Sequence, residues 1–173
     1  MNDIDAPLVG DFAALVLLAG AVVLVGALTR PTGRAAVAAD AVRLSAVVAG
    51  AATAGSLYFS EVADFVPCEM CWFQRTAMYP IAVIGLVATV RRDRAVLPSL
   101  AVLAGLGLVA STYHIFIQLF PEQATFCEAT NPCSAKWVDG LGWMTIPQMA
   151  AICFATILAL SITGIRTPIK ETP

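Results

Sequence analysis

Charge is missing from most of this chain in long unbroken runs, and that restricts the fold more than any motif does. The runs lie between Asp11 and Arg30, Arg43 and Glu61, Arg75 and Arg91, Arg94 and Glu122, and Asp139 and Arg166. They enclose 18, 17, 15, 27 and 26 residues, and Cys71, Trp72 and Phe73 extend the shortest backwards. A helix needs roughly 17–25 mainly apolar residues to cross a bilayer. Hydrocarbon offers no partner to a free N–H or C=O, so such segments are best read as helices. Five spans are predicted near 10–29, 42–60, 71–90, 96–119 and 143–165. The 173 residues are 59% hydrophobic and 13% charged. Soluble domains average about 45–50% and about 25%, so both disorder and an ordinary soluble domain are disfavoured. A net charge of −2 supplies no basic surface for nucleic acid.

The basic residues give an orientation. Arg30, Arg34 and Arg43 separate spans one and two, Arg91, Arg92 and Arg94 separate three and four, and Arg166 and Lys170 follow span five. Eight of the ten basic residues thus fall on alternate connections, which the positive-inside rule assigns to the cytoplasm. Only Arg75 and Lys136 lie on the other side. The expected outer segments are 1–9, 61–70 and 120–142. The first span is preceded by Asp3 and Asp5 and by no Lys or Arg. A secretory signal needs a positive start, so a retained helix with its N-terminus outside is expected. The resulting division is an N-terminal helix and loop over 1–41, a helical bundle over 42–166 and a cytoplasmic tail over 167–173. Ala46, Gly50 and Ala54 form a small-residue stripe that would let helices approach closely. Pro80 should kink span three.

Cys68 and Cys71 form a C-x-x-C at the mouth of span three, Cys127 and Cys133 lie in the longest outer loop, and Cys153 is alone inside span five. The first four are therefore placed outside the cytoplasm, where disulfides persist. Helix N-termini and nearby cations favour the reactive thiolate. A helix starting near Cys68 would put Cys68, Cys71 and Arg75 on one face, with Arg75 slightly inside the bilayer, a costly and usually functional position. His114 and Gln118, one turn apart, fall at a comparable depth on span four. Gln74, Arg75, His114 and Gln118 thus form a candidate ligand site beside the thiols. Three readings compete: a redox relay between the two pairs, a structural zinc site with four cysteine ligands, and inert structural disulfides. The relay is favoured, because neither alternative accounts for the Arg/His/Gln group.

The string Cys68-Glu69-Met70-Cys71-Trp72-Phe73-Gln74-Arg75, followed by Met78-Tyr79-Pro80, resembles the signature of the DsbB family (disulfide bond formation protein B). His114-x-x-x-Gln118, the Cys127/Cys133 pair and Thr145-Ile146-Pro147 match its layout, so the resemblance covers roughly 44–165. It implies an all-α integral membrane protein, a four-transmembrane-helix bundle, here with one extra N-terminal transmembrane helix. It also implies a bacterial inner-membrane thiol:quinone oxidoreductase that reoxidises a DsbA-like, thioredoxin-fold thiol oxidase. Ubiquinone or menaquinone would take the electrons, and no metal is expected. On this resemblance Cys127 pairs with the partner and Cys133 is its mate. Cys68 and Cys71 receive the electrons, and Cys71 faces the quinone. Arg75 binds and polarises the quinone, with Gln74, His114 and Gln118 beside it.

Two features depart from the best-known members. Only five residues separate Cys127 from Cys133, a spacing that resembles the short-loop, BdbC-like branch and leaves open how Cys127 reaches Cys68. The N-terminal span has no counterpart in the four-helix pattern. A vitamin K epoxide reductase-like or reductant-exporting relay and a non-enzymatic zinc-stabilised protein remain the alternatives. Cys153 is read as a packing residue, Trp137 and Trp143 as an interfacial belt, Trp72 as packing at the interface, and Glu122, Glu128 and Asp139 as loop solvation. In the resting protein either both pairs are linked or one cross-link joins them, with Cys153 free. Impermeant thiol labelling is expected to find Cys68 and Cys127 on the same membrane face; opposite faces would break the circuit.

Overall fold

The computed structural model describes residues 5–123, 127 and 130–167. Asp3, Glu128 and Lys170 lie outside the described residues, as does the side chain of Asp5. The helices are α1 (Asp5–Leu28), α2 (Pro31–Ala39), α3 (Ala41–Glu61), α4 (Glu69–Arg91), α5 (Leu97–Leu119) and α6 (Ile146–Arg166), with a short 3-10 turn at Pro121–Gln123. Among the described residues the only bridge of β type is the isolated pair Gly140–Met144. Five helices, all but α2, are long and apolar enough to cross a membrane, and they fall on the five predicted spans. The chain is an all-α, multi-pass membrane protein.

Helix α2 is the difference from the sequence reading, which treats that connection as a loop. Arg30 is extended and Pro31 opens the helix, where its fixed φ is favourable and its missing N–H costs nothing. Arg34 then donates from Nη2 to the Leu28 carbonyl at 3.1 Å, satisfying a group that the end of α1 leaves without an intrahelical partner. At the other end of the bundle, Thr145 and Gln148 form a reciprocal capping box that starts α6, with Pro147 in the first turn. Asp64, in the left-handed region at φ 56°, turns the chain between α3 and α4. Arg94 fastens the base: Nη1 donates to the Ala38 carbonyl at 2.6 Å and Nη2 to the Gly164 carbonyl at 2.9 Å.

The main core lies among α3, α4, α5 and α6, around Phe154, Ile157, Ile81, Leu100, Ala104 and Ala49. Gly107 permits the closest approach of α5 to α6, since a Cβ there would enter the ring of Phe154. Gly85 does the same for α4 against α3, where a Cβ would lie 3.2 Å from that of Ala46. The proposed stripe is thus used only at Ala46: a Cβ on Gly50 would meet nothing within 4 Å, and Ala54 is exposed. Pro80 lies inside α4, which remains helical on both sides of it.

Helix α1 is joined to this bundle along its first half, where Leu17 reaches the main core, and through its connection to α2. Near its start, Ala14 is fully buried in a cluster with Phe59, Val138, Met144 and Met149, and Asp11 Oδ1 accepts the Leu141 N–H at 2.7 Å. At its other end the α1–α2 connection ties it down. Replacing Gly107 with Val should overpack the α5–α6 contact and cost about 1–3 kcal/mol. Gly105→Ala, where a Cβ meets nothing within 4 Å, should be neutral or stabilising by roughly 0.5–1 kcal/mol. Thermal unfolding in detergent checks both.

Candidate functional site

Helix α4 begins one residue after Cys68, which is its extended N-cap residue at φ −74°, ψ 172°. This places Cys68 and Cys71 across the first turn with their sulfurs 2.9 Å apart. Cys127 and Cys133 are joined by a disulfide, whereas Cys68, Cys71 and Cys153 are free thiols. One pair is therefore closed and the other open, which differs from both arrangements expected at rest, the doubly linked one and the single cross-link between the pairs.

The two pairs meet in a single apolar cluster, in which Cys68 and Cys133 are buried with Met70 and Ile117 while Cys71 and Cys127 pack on its edge. The short loop therefore needs no long excursion to bring its disulfide to the C-x-x-C. His114 is wedged between the pairs. Its Nε2 lies 2.9 Å from the Cys133 carbonyl oxygen and 3.7 Å from Cys68 Sγ. A carbonyl can only accept, so Nε2 carries a proton. The Gln74 amide faces Nδ1 at 3.2 Å and donates to it, which fixes this tautomer of the neutral ring. Glu69 adds a carboxylate from within the motif, with Oε2 3.6 Å from Cys133 Sγ.

This setting acts on Cys68. The hydrogen bond with Cys71 pulls its pKa down to about 4, against the opposing effect of burial, with further lowering from the hydrogen bond of His114. The site therefore favours the thiolate form of Cys68.

The expected polar group is divided in two by α4. Gln74 and His114 are in contact, and Gln118 lies on their side, donating to the Ala135 carbonyl at 3.3 Å and accepting from the Thr145 hydroxyl at 2.8 Å. Arg75 points the other way. Its Nε donates to Ser56 Oγ and its Nη2 to the Ser56 carbonyl, both at 3.0 Å, and its guanidinium lies 5.1 Å from the centre of the Trp72 ring. Adjacent helical residues are about 100° apart around the axis, so Gln74 faces α5 while Arg75 faces α3.

Arg75 opens onto a cavity of about 620 Å³ between α1, α3, α4 and α6, whose wall also includes Cys71, Gln74 and Tyr79. The Tyr79 hydroxyl is buried without a hydrogen-bond partner. His114 and Gln118 line a separate small crevice with Cys68. Cys71 borders both spaces and so stands between the disulfide cluster and the large cavity. Sequence reasoning gave no role to Ser56, although a serine within an apolar span is itself a signal of a polar partner. It gave Trp137 only an interfacial role, whereas its ring stacks on Phe65 at 5.3 Å and borders the cavity. Cys153 packs in the core and contributes to the same wall. Trp143 is exposed.

The chain matches the family of disulfide bond formation protein DsbB over residues 38–164. It is 41% identical to the probable disulfide formation protein of Oceanobacillus iheyensis over 119 residues, covering 66% of this chain and 81% of that one. It is 40% identical to disulfide bond formation protein C of Bacillus subtilis over 114 residues, covering 65% and 83%. Against the SPbeta prophage-derived disulfide bond formation protein B of Bacillus subtilis it is 37% identical over 120 residues, covering 69% and 79%. The chain belongs to the DsbB family. The resemblance carried by the C-x-x-C-x-x-Q-R string is borne out, and membership makes the protein a membrane oxidoreductase of disulfide formation. No solved structure matches it significantly. The family match begins after α1.

The low pKa of Cys68 is testable in a Cys127→Ser/Cys133→Ser protein after reduction. Thiolate absorbance should stay flat from neutral pH down to roughly pH 5 and be lost as the pH falls through about 4. Cys71→Ala should raise the midpoint most, and His114→Ala should raise it less. An unchanged midpoint in Cys71→Ala would refute the hydrogen-bond origin.

Proposed function

We propose that this DsbB-family protein is a thiol:quinone oxidoreductase that reoxidises a DsbA-like thioredoxin-fold thiol oxidase on the outer side of the bacterial inner membrane. The single observation that carries this reading is the position of Cys71, with one side against the cysteine cluster and the other on the cavity that Arg75 shares. The orientation it requires, N-terminus outside and C-terminus cytoplasmic, is the one that the basic residues favour.

The exchange sequence follows from accessibility. Cys127 is half-buried and Cys133 is almost fully buried. A partner thiolate attacks Cys127 and breaks the Cys127–Cys133 bond, and Cys133 leaves as a thiolate. The second partner thiol then attacks the mixed disulfide, releasing oxidised partner and a Cys127 thiolate. Cys133 attacks Cys68 in an oxidised C-x-x-C, and Cys71 leaves as a thiolate. Cys127 attacks Cys133, which restores the loop disulfide and leaves Cys68 as a thiolate. The net result is one oxidised partner and one Cys68/Cys71 dithiol, which is the combination of bonds described above. A low Cys68 pKa makes Cys68 a good leaving group in that last step. His114, holding the Cys133 carbonyl and Cys68 together, keeps the attacking and receiving sulfurs in one place.

The residues around the cavity fit a quinone. The volume is of the size that small-molecule sites have, the wall is largely apolar, and its polar groups, Arg75, Gln74 and Ser56, gather beside Cys71. A quinone bound there supplies a two-electron, two-proton oxidant strong enough to reclose Cys68–Cys71. Arg75, fixed on Ser56, holds positive charge where negative charge develops. As the Cys68–Cys71 disulfide re-forms, the two sulfurs give up two electrons and Cys71 its proton; Cys68 is already a thiolate, so the second proton taken up by the acceptor is one released by the partner's thiols during the exchange.

Cys68, Cys71 and His114 also place three donor atoms within 4.8 Å of one another and could hold a metal ion. Metal analysis of the purified protein tests that second reading. Stoichiometric zinc, with thiols alkylated only after chelation, would favour it.

Purified protein given reduced partner and a soluble quinone should consume the quinone, and Cys71→Ser should abolish turnover. Cys127→Ser should lose turnover with the partner yet keep quinone reduction driven by a small dithiol. Arg75→Met should lower kcat by roughly 10²-fold. Equal rates for Cys71→Ser and wild type would reject the electron path.

A further inference from the structure

Helix α1 lies outside the segment that matches the family, yet it supplies one whole wall of the large cavity. Phe12, Val16, Gly20, Leu24 and Ala27 lie along that wall, recurring every three or four residues as one helical stripe. The opposite wall comes from α3, α4 and α6, with Ala51 and Leu44 of α3 among its residues. Because α1 is held from Asp11 to Leu18 along its first half and by the α2 connection at its other end, it crosses the bundle face as a handle does, and a space stays open between it and α3.

The polarity of that space is one-sided. Arg75, Gln74, Ser56 and Cys71 stand at the end near the start of α4, Tyr79 and Thr156 line the cavity part-way along, and the far end is bounded by Leu44, Val37 and Ala27. From Ser56 to Leu44 the helix rises about 18 Å. A ligand that fills such a slot has a compact polar head and a long apolar tail. Resting on the quinone reading above, we infer that α1 forms a roof over the isoprenoid tail of the quinone, so that this chain binds tailed quinones in a covered channel made partly by a helix outside its family core.

The test compares two quinones with the same ring, menaquinone-4 and the tail-less 2,3-dimethyl-1,4-naphthoquinone, binding to full-length protein in one detergent. Quenching of tryptophan fluorescence, to which Trp137 on the cavity wall contributes, reads binding without turnover. Compared at equal mole fraction in the micelle, wild type should bind the tailed quinone at least about tenfold more tightly, because the tail makes close contacts with the channel walls that the tail-less ring lacks. A Cβ on Gly20 would meet nothing within 4 Å, so Gly20→Phe can fill the channel from α1, and Ala51→Phe fills it from α3. Both should lose the preference for the tail while binding the tail-less ring as wild type does. Val22→Phe, on the exposed side of α1, should keep the preference. A preference retained by both channel-filling variants, or absent from wild type, would overturn the roof and leave the quinone site standing. Failure of wild type to bind either probe would overturn the quinone reading and the roof together.

Discussion

The arrangement of the site depends on one imidazole. His114 is 2% exposed, set among apolar residues where an unpartnered polar ring would be costly. Its nitrogens are satisfied by the Gln74 amide on one side and the Cys133 carbonyl on the other. These two contacts join α4 to α5 and α5 to the loop at the level of the cysteines. The loop is short, and its disulfide is located largely by this bond and by the packing of Cys133 against Ile117 and Met70. The same ring then reaches Cys68 Sγ. Structural satisfaction and thiolate stabilisation are here performed by one group, which is why a histidine in a membrane segment is tolerated at all.

On the proposed reading, helix α4 separates two kinds of chemistry. Thiol–disulfide exchange needs sulfurs to meet in line and thiolates to be stabilised, and the cysteines are gathered for it on the face toward α5 and the loop. Electron delivery to a lipid-soluble acceptor needs an apolar chamber with a fixed positive charge, and the proposal assigns that to Arg75 on the face toward α3. Cys71 belongs to both faces because it sits one turn into the helix, between the buried N-cap thiol and the chamber. A C-x-x-C at a helix start naturally produces this division, with the first cysteine capping and the second inside the turn.

Much of the fold was legible in the sequence, for a physical reason. Desolvating charge in hydrocarbon is so unfavourable that gaps between Asp, Glu, Lys and Arg mark the spans directly, and α1, α3, α4, α5 and α6 follow those gaps. Helix α2 was not legible, because at nine residues it is too short to show a span and its start depends on Pro31 and on Arg34 reaching the Leu28 carbonyl, a tertiary detail. At the site, residue types and depths were readable, but direction was not. Gln74, Arg75, His114 and Gln118 were placed at one level, as the spacing requires. Depth along an axis says nothing of azimuth toward neighbours, and the packing of α3 against one side of α4 and α5 against the other sends Arg75 and Gln74 apart. Ser56 escaped notice for the same reason: its importance lies wholly in a contact with a residue 19 positions away.

The position of α1 follows from the same economy. A groove on the surface of a four-helix bundle in lipid is already filled by acyl chains, so enclosing it brings little hydrophobic gain, unlike closing a groove in water. Helix α1 reflects this, since it docks through a buried Ala14, a hydrogen bond to Asp11 and its link to α2, and it keeps a face that includes Val22 and Val25 turned outward. What a helix so held can add is selection. Lipid tails and a quinone tail compete for an open groove on nearly equal terms, whereas a chamber bounded on both sides favours the occupant whose head also meets Arg75 and Cys71. The small residues Gly20 and Ala21 at the middle of the roof keep that chamber wide where a larger side chain would close it.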